Sequence, residues 1–122
     1  MPYIVGPTTP SHLNMSAGIV QSGIKTTEAT GANNLVSLTA ADYQSVDYQV
    51  QVIRGSNYNS ALIKVIHDGT NTYMTEYGNV NQPSIGIATF STDVNSGDLR
   101  LLAYPDAATA TTFKFIYSAI KS

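Results

Sequence analysis

The stretch Val46-Asp47-Tyr48-Gln49-Val50-Gln51-Val52 decides the fold class of this chain, because every second residue is apolar and every intervening one is polar. Successive side chains of a strand point to opposite faces, so Val46, Tyr48, Val50 and Val52 fall on a buried face and Asp47, Gln49 and Gln51 on a wet one. A helix needs apolar residues every three or four positions, and nowhere in the chain does that spacing persist long enough to build one with assurance.

Downstream, Gly55-Ser56-Asn57 breaks the strand, and Ala61-Leu62-Ile63-Lys64-Val65-Ile66-His67 follows as a nearly continuous apolar run. Such a run reads as a strand in the sandwich interior. Asp68-Gly69 then signals a tight hairpin, since glycine adopts positive φ without steric cost. The return strand, Thr72 to Tyr77, sets Tyr73, Thr75 and Tyr77 on one face and Met74 and Glu76 on the other. Further strands are expected over Ile19 to Glu28 and Leu35 to Thr39, a pair joined through residues 30–34. After the polar loop Asn79 to Ser84 come Ile85 to Thr92, with Phe90 as anchor, and Leu99 to Tyr104, entered through the turn Asn95-Ser96-Gly97-Asp98. Thr111 to Ile120 closes the series. These alternations and regularly spaced turns predict an all-β, antiparallel β-sandwich, jelly-roll or Greek-key like, of about eight strands.

The sandwich is expected to occupy residues 18–122. Residues 1–17 carry Pro2, Pro7 and Pro10 and read as an extended N-terminal arm, able to lie along a neighbour's sheet edge. Its isolated apolar patch, Tyr3, Ile4 and Val5, is the expected partner-binding element, because exposed apolar groups need covering. A frayed terminus is the plainer reading of the same residues.

At 122 residues the chain can bury a core without metal or disulfide support. It has no cysteine, which excludes disulfides, thiolate nucleophiles and cysteine-based zinc sites. Only 11% of residues are charged, against about 25% in an ordinary domain. The net charge of −2 and six scattered basic residues argue against a nucleic-acid partner. No apolar run approaches the roughly 20 residues that span a bilayer, so no membrane role is expected. The first residues lack the basic and apolar regions of a secretory signal, which suggests synthesis in the cytoplasm and delivery by assembly.

A resemblance lies in Tyr48-Gln-Val-Gln-Val52, Lys64-Val-Ile-His-Asp-Gly-Thr-Asn-Thr-Tyr73 and Thr75-Glu-Tyr-Gly78. It continues through Phe90-Ser-Thr-Asp-Val-Asn-Ser-Gly-Asp-Leu-Arg-Leu-Leu102 and Ala110-Thr-Thr-Phe-Lys-Phe115. As a set, these segments resemble a β-sandwich module of virion structural and tail-fibre-like proteins of tailed bacteriophages, notably marine and cyanobacterial ones. The resemblance implies a virion component and supplies no catalytic or ligand residues. In that family the module often sits inside longer chains, whereas here it is nearly the whole sequence, and this points to a free-standing accessory protein.

Other constellations have bland readings. His67-Asp68 suggests an oriented base, but no nucleophile accompanies it, and the pair is expected to end a strand and open a turn. Asp93, Asn95 and Asp98 distantly resemble a calcium loop without its closing glutamate, and are expected to form a turn. Asp47 and Glu76 would have to face each other to act as a glycosidase pair. Tyr48, Tyr73, Tyr77, Tyr104 and Tyr117 are expected in the core or an interface. Tyr43 and Tyr58, beside Asn57 and Asn59, are the candidates for surface recognition.

The expected function is that of a phage virion structural protein, first as a capsid decoration (cement) protein binding across capsid subunits. The alternative is a tail-fibre or baseplate adhesin that binds host surface glycans; a hydrolase is less well supported. No enzymatic activity, cofactor or metal is expected. The expected partners are copies of itself, with a trimer favoured, and the major capsid protein or tail components.

Overall fold

A computed structural model describes residues 12–82 and 86–122. The expected arm residues Tyr3, Ile4 and Val5 lie outside them. Among the described residues there are nine strands and no helix: β1 (His12–Asn14), β2 (Gly18–Thr27), β3 (Asn33–Thr39), β4 (Tyr43–Arg54), β5 (Asn57–His67), β6 (Thr72–Gln82), β7 (Ala88–Asn95), β8 (Asp98–Pro105) and β9 (Thr111–Lys121). They form two antiparallel sheets, one ordered β1-β2-β9-β4-β5-β6 and a smaller one ordered β3-β8-β7. The expected β-sandwich is therefore observed.

Turn chemistry sets three of the connections. Gly55, at φ 58°, starts the two-residue loop that pairs Arg54 with Asn57 in the β4–β5 hairpin. Ser96 and Gly97 both take positive φ, 51° and 83°, as the tight β7–β8 loop between Asn95 and Asp98 requires. The β5–β6 hairpin pairs His67 with Thr72, and Asp68 organises it by accepting backbone N–H bonds from Thr70 and Asn71 at 3.0 and 2.7 Å.

Two expectations about strand placement change. The strands before and after residues 30–34 do not pair: β2 belongs to the large sheet and β3 to the small one. The crossing is held by Asn33, whose amide donates to the carbonyls of Ala29 and Gly31 at 2.8 and 3.0 Å and whose oxygen accepts from Thr27 Oγ1. The end of the segment expected as an arm, His12–Asn14, adds to an edge of its own sheet as β1, with Leu13 opposite Val20.

The core lies between the sheets. Val46, Tyr48, Val50 and Val52 of β4 are all 1% exposed, as their alternation requires. They pack with Ile63 and Val65 of β5, with Phe113, Phe115 and Tyr117 of β9, and with Val36, Leu38, Leu99 and Leu101 from the small sheet. Phe90 on β7 meets Phe113 edge-on across the two sheets, with ring centroids 6.1 Å apart. At one end Arg54 ties the layers together by bonding Thr111 Oγ1 at 2.9 Å, the Asp106 carboxylate at 2.5 Å and the Ile87 carbonyl at 3.3 Å.

Candidate functional site

A three-stranded sheet covers one face of a six-stranded one, and among the described residues no strand lies over the other face of the large sheet. Strand register arranges the open face in cross-sheet rows. One row runs Gly18, Ile120, Ser45, Ile66, Tyr73, and the next runs Val20, Ser118, Asp47, Lys64, Thr75. Then come Ser22, Ile116, Gln49, Leu62, Tyr77, followed by Ile24, Lys114, Gln51, Ser60, Val80 and by Thr26, Thr112, Ile53, Tyr58, Gln82.

The expected wet face is thus rich in large apolar side chains. Ile24 is 69% exposed, Val80 68%, Ile120 58% and Ile116 54%. Leu62, Ile66, Tyr58, Tyr73 and Tyr77 are also exposed, and Leu13 of β1 extends the same face beside Val20. Met15, in the β1–β2 connection, is the one exposed large apolar residue among those described that lies off these strands. The apolar run of β5 therefore has only half the environment expected of it: Ile63 and Val65 are buried, whereas Leu62 and Ile66 point to the open side. Removing such surface from water stabilises by about 2.5 kcal/mol per 100 Å², so a face of this kind favours a partner.

A bulge in β6 extends the apolar band. Gly78 and Asn79 together oppose Ala61, so Val80 pairs with Ser60 and joins the open face instead of turning inward. Gly78 has φ 63°, the left-handed conformation such a bulge uses. Beside Val80 lies an open hollow of about 500 Å³, whose lining includes Ile24, Ile116, Tyr58, Val80, Gln49 and Gln51.

Charge on these rows is sparse. Lys64 Nζ bonds Asp47 Oδ1 at 2.9 Å, and this hydrogen bond holds the ammonium above its ordinary pKa. Lys114 is the remaining charged member of the rows. Tyr73 Oη donates to Asp68 Oδ2 at 3.1 Å, and that bond raises the phenol's pKa. The Asp68 carboxyl is held low by the backbone N–H groups of Asn71 and Thr70.

The residues expected at a recognition site are not brought together. Tyr43, half-buried, starts β4 opposite Lys121, whereas Tyr58 lies at the far end of the sheet opposite Ile53. Asn57 is half-buried at the β4–β5 loop. Asn59 is only 8% exposed; its Oδ1 accepts the Ile87 N–H at 2.7 Å and its Nδ2 donates to the Tyr58 carbonyl. Asn59 therefore joins β5 to the chain entering β7, inside the sandwich rather than on its surface.

His67 is likewise structural. It is 6% exposed, Nδ1 accepts the Gly69 N–H at 2.9 Å, and Nε2, which must then carry the proton, donates to the Tyr43 carbonyl at 2.5 Å. Asp93 bonds Arg100 with both oxygens, at 2.8 and 2.6 Å, so its carboxylate is directed across the β7–β8 hairpin. No group of three or more His, Asp or Glu side chains suited to a metal occurs among the described residues. Asp47 and Glu76 lie on strand positions of opposite facing: Asp47 is in the rows above, whereas Glu76 opposes Ile63. The open face itself escaped the sequence reading, although Leu62, Ile66, Ile116 and Ile120 at outward positions of β5 and β9 were its available signal.

No protein-family model matches the chain, and no curated protein matches it. Among solved structures, it is similar to the tailspike protein of Acinetobacter baumannii phage AM24, with a TM-score of 0.46 and 11% identity over 84% of this chain and 26% of that one. It is also similar to the tailspike protein of Acinetobacter phage vB_ApiP_P1, with a TM-score of 0.43 and 17% identity over 100% of this chain and 23% of that one. The chain thus spans about a quarter of the length of these tailspike chains.

Proposed function

We propose that this chain is a structural module of a phage virion, of tail-fibre type, whose open sheet face packs against a neighbouring protein in the particle. The observation that carries the proposal is the concentration of exposed Ile, Leu, Val and Tyr side chains on one face of the large sheet, where charge is almost absent. Interface cores are depleted of charge and enriched in aromatic residues in this way. The role is mechanical: burial of this face holds the module in place, and no step of bond making or breaking is assigned to it.

The tail-fibre reading is preferred to decoration of the head for two reasons. Decoration rests on the arm residues Tyr3, Ile4 and Val5, which lie outside the described structure. The resemblance to virion structural and tail-fibre-like modules, by contrast, is carried by segments between Tyr48 and Phe115 that lie within the described structure. Glycan binding is not part of the proposal, because Tyr43, Tyr58, Asn57 and Asn59 do not form one site.

Immunogold electron microscopy of particles bearing this chain tests the placement. Label on the tail supports the proposal, label on the head shell favours decoration, and absence from the particle rejects both. Substituting Ile116→Lys on the open face should abolish incorporation into particles while leaving the isolated chain folded.

A further inference from the structure

We infer that the occupant of the open face is a second copy of this chain, which deepens the structural-module reading and rests on it. Three features point to the same occupant. The first is area. Five long strands at about 4.8 Å spacing, with about ten residues each at about 3.3 Å, present a face on the order of 800 Å². A standard interface takes about 800 Å² from each partner, so the face supplies one side of such a contact by itself.

The second feature is hydrogen-bonding character. Ser22, Gln49, Gln51, Ser60, Thr75 and Tyr77 stand in the rows. Each of these side chains both donates and accepts, so the face can satisfy a copy of itself. A surface dominated by carboxylates or ammonium groups would lack that self-complementarity.

The third feature is charge. Asp47 and Lys64 neutralise each other at 2.9 Å, which leaves Lys114 as the one charged residue of the rows without an opposite charge in its own row. Like faces therefore meet with little repulsion. The Ile24, Ile116 and Val80 side chains flanking the roughly 500 Å³ hollow give a copy both protrusions and a recess to fill.

The test uses the purified chain in analytical ultracentrifugation at about 100 µM, well above the Kd of a micromolar complex. The expected result is a dimer of about 26 kDa, twice the 13.0 kDa of one chain, reduced to a monomer by Leu62→Lys or Ile116→Lys with an unchanged circular dichroism spectrum. Because the native chain has no cysteine, single thiols give an independent reading that disturbs the face little. Ser60→Cys on the open face should crosslink between copies, whereas Thr89→Cys on the small sheet should not. A monomeric wild-type chain, or crosslinking from position 89 but not from 60, overturns the inference. If the chain is monomeric but Ile116→Lys still blocks incorporation into particles, the face binds another protein and the structural-module reading survives. If incorporation is indifferent to Ile116→Lys, that reading falls as well.

Discussion

The ring of Phe115 lies over Gly23, its partner in the β2–β9 ladder, so closely that a Cβ at position 23 would sit 2.6 Å from the ring's Cε2. The ring is held in turn by stacking on Tyr117, with centroids 6.4 Å apart. Glycine at this position makes room for an aromatic side chain within the sandwich. At Gly18 the obstacle is backbone, with the Ala119 carbonyl oxygen 2.1 Å from the same hypothetical atom.

Gly23→Ala is therefore expected to destabilise by about 1–3 kcal/mol, since an overpacked core must shift side chains. Gly18→Ala should cost more, because a carbonyl fixed in a ladder has less freedom than a ring. Urea denaturation of the two variants checks the order; a Gly18→Ala variant as stable as wild type would refute the close approach.

Tyr48 and Tyr117 pack with centroids 5.6 Å apart but differ in their hydroxyls. Tyr117 Oη donates to Gln21 Oε1, whereas the Tyr48 hydroxyl is buried without a hydrogen-bond partner among the described residues. Tyr48→Phe should thus leave stability unchanged or raise it by about 1 kcal/mol, because an unsatisfied buried hydroxyl is costly. Tyr117→Phe should lower it. Thermal melts of both variants separate the two effects.

Burial, reinforced by Tyr117, also pushes the Tyr48 phenol far above its ordinary pKa of 10.0. The folded state then retains a proton that the unfolded chain releases, so stability is full below pH 10 and falls as pH rises beyond it. Tyr48→Phe should flatten that alkaline loss. The measurement is denaturation midpoint against pH from 8 to about 12.

Arg100, bonding both Asp93 oxygens, holds that carboxyl below its ordinary 3.8. The contribution is present above that pH and lost as acid lowers pH through the depressed value. Since Asp93 is more than one-third exposed, Asp93→Asn should cost only about 0.5 kcal/mol. With Asp93 committed to Arg100, millimolar calcium should leave the wild-type melting temperature unmoved, and a rise would reopen the metal-loop reading.

His67→Phe should cost about 2 kcal/mol by stranding the Gly69 N–H and the Tyr43 carbonyl. Amide exchange at Gly69 should quicken beyond what the global loss explains. Unchanged protection there would contradict the assigned hydrogen bond.

Alternation alone was enough to place β4 and to name its buried residues Val46, Tyr48, Val50 and Val52, because which way a strand side chain points depends only on position parity. The Asp68-Gly69 and Ser96-Gly97 turns were equally legible, since they require positive φ within a few residues of chain. Other features join residues distant in sequence, and no local pattern encodes them. The Arg54 clamp on Asp106 and Thr111, the assignment of β2 and β3 to different sheets, and the inward use of Asn59 are of this kind.

The sequence by itself determined that the strands are two-faced and where they turn. Only the tertiary structure decided which face is covered. β5 and β9 carry apolar residues on both sides, and the choice between interior and surface depends on where a second sheet of three strands finds room against six. Coverage is a property of packing between distant segments, and for that reason Leu62, Ile66, Ile116 and Ile120 became a surface only once the chain was folded.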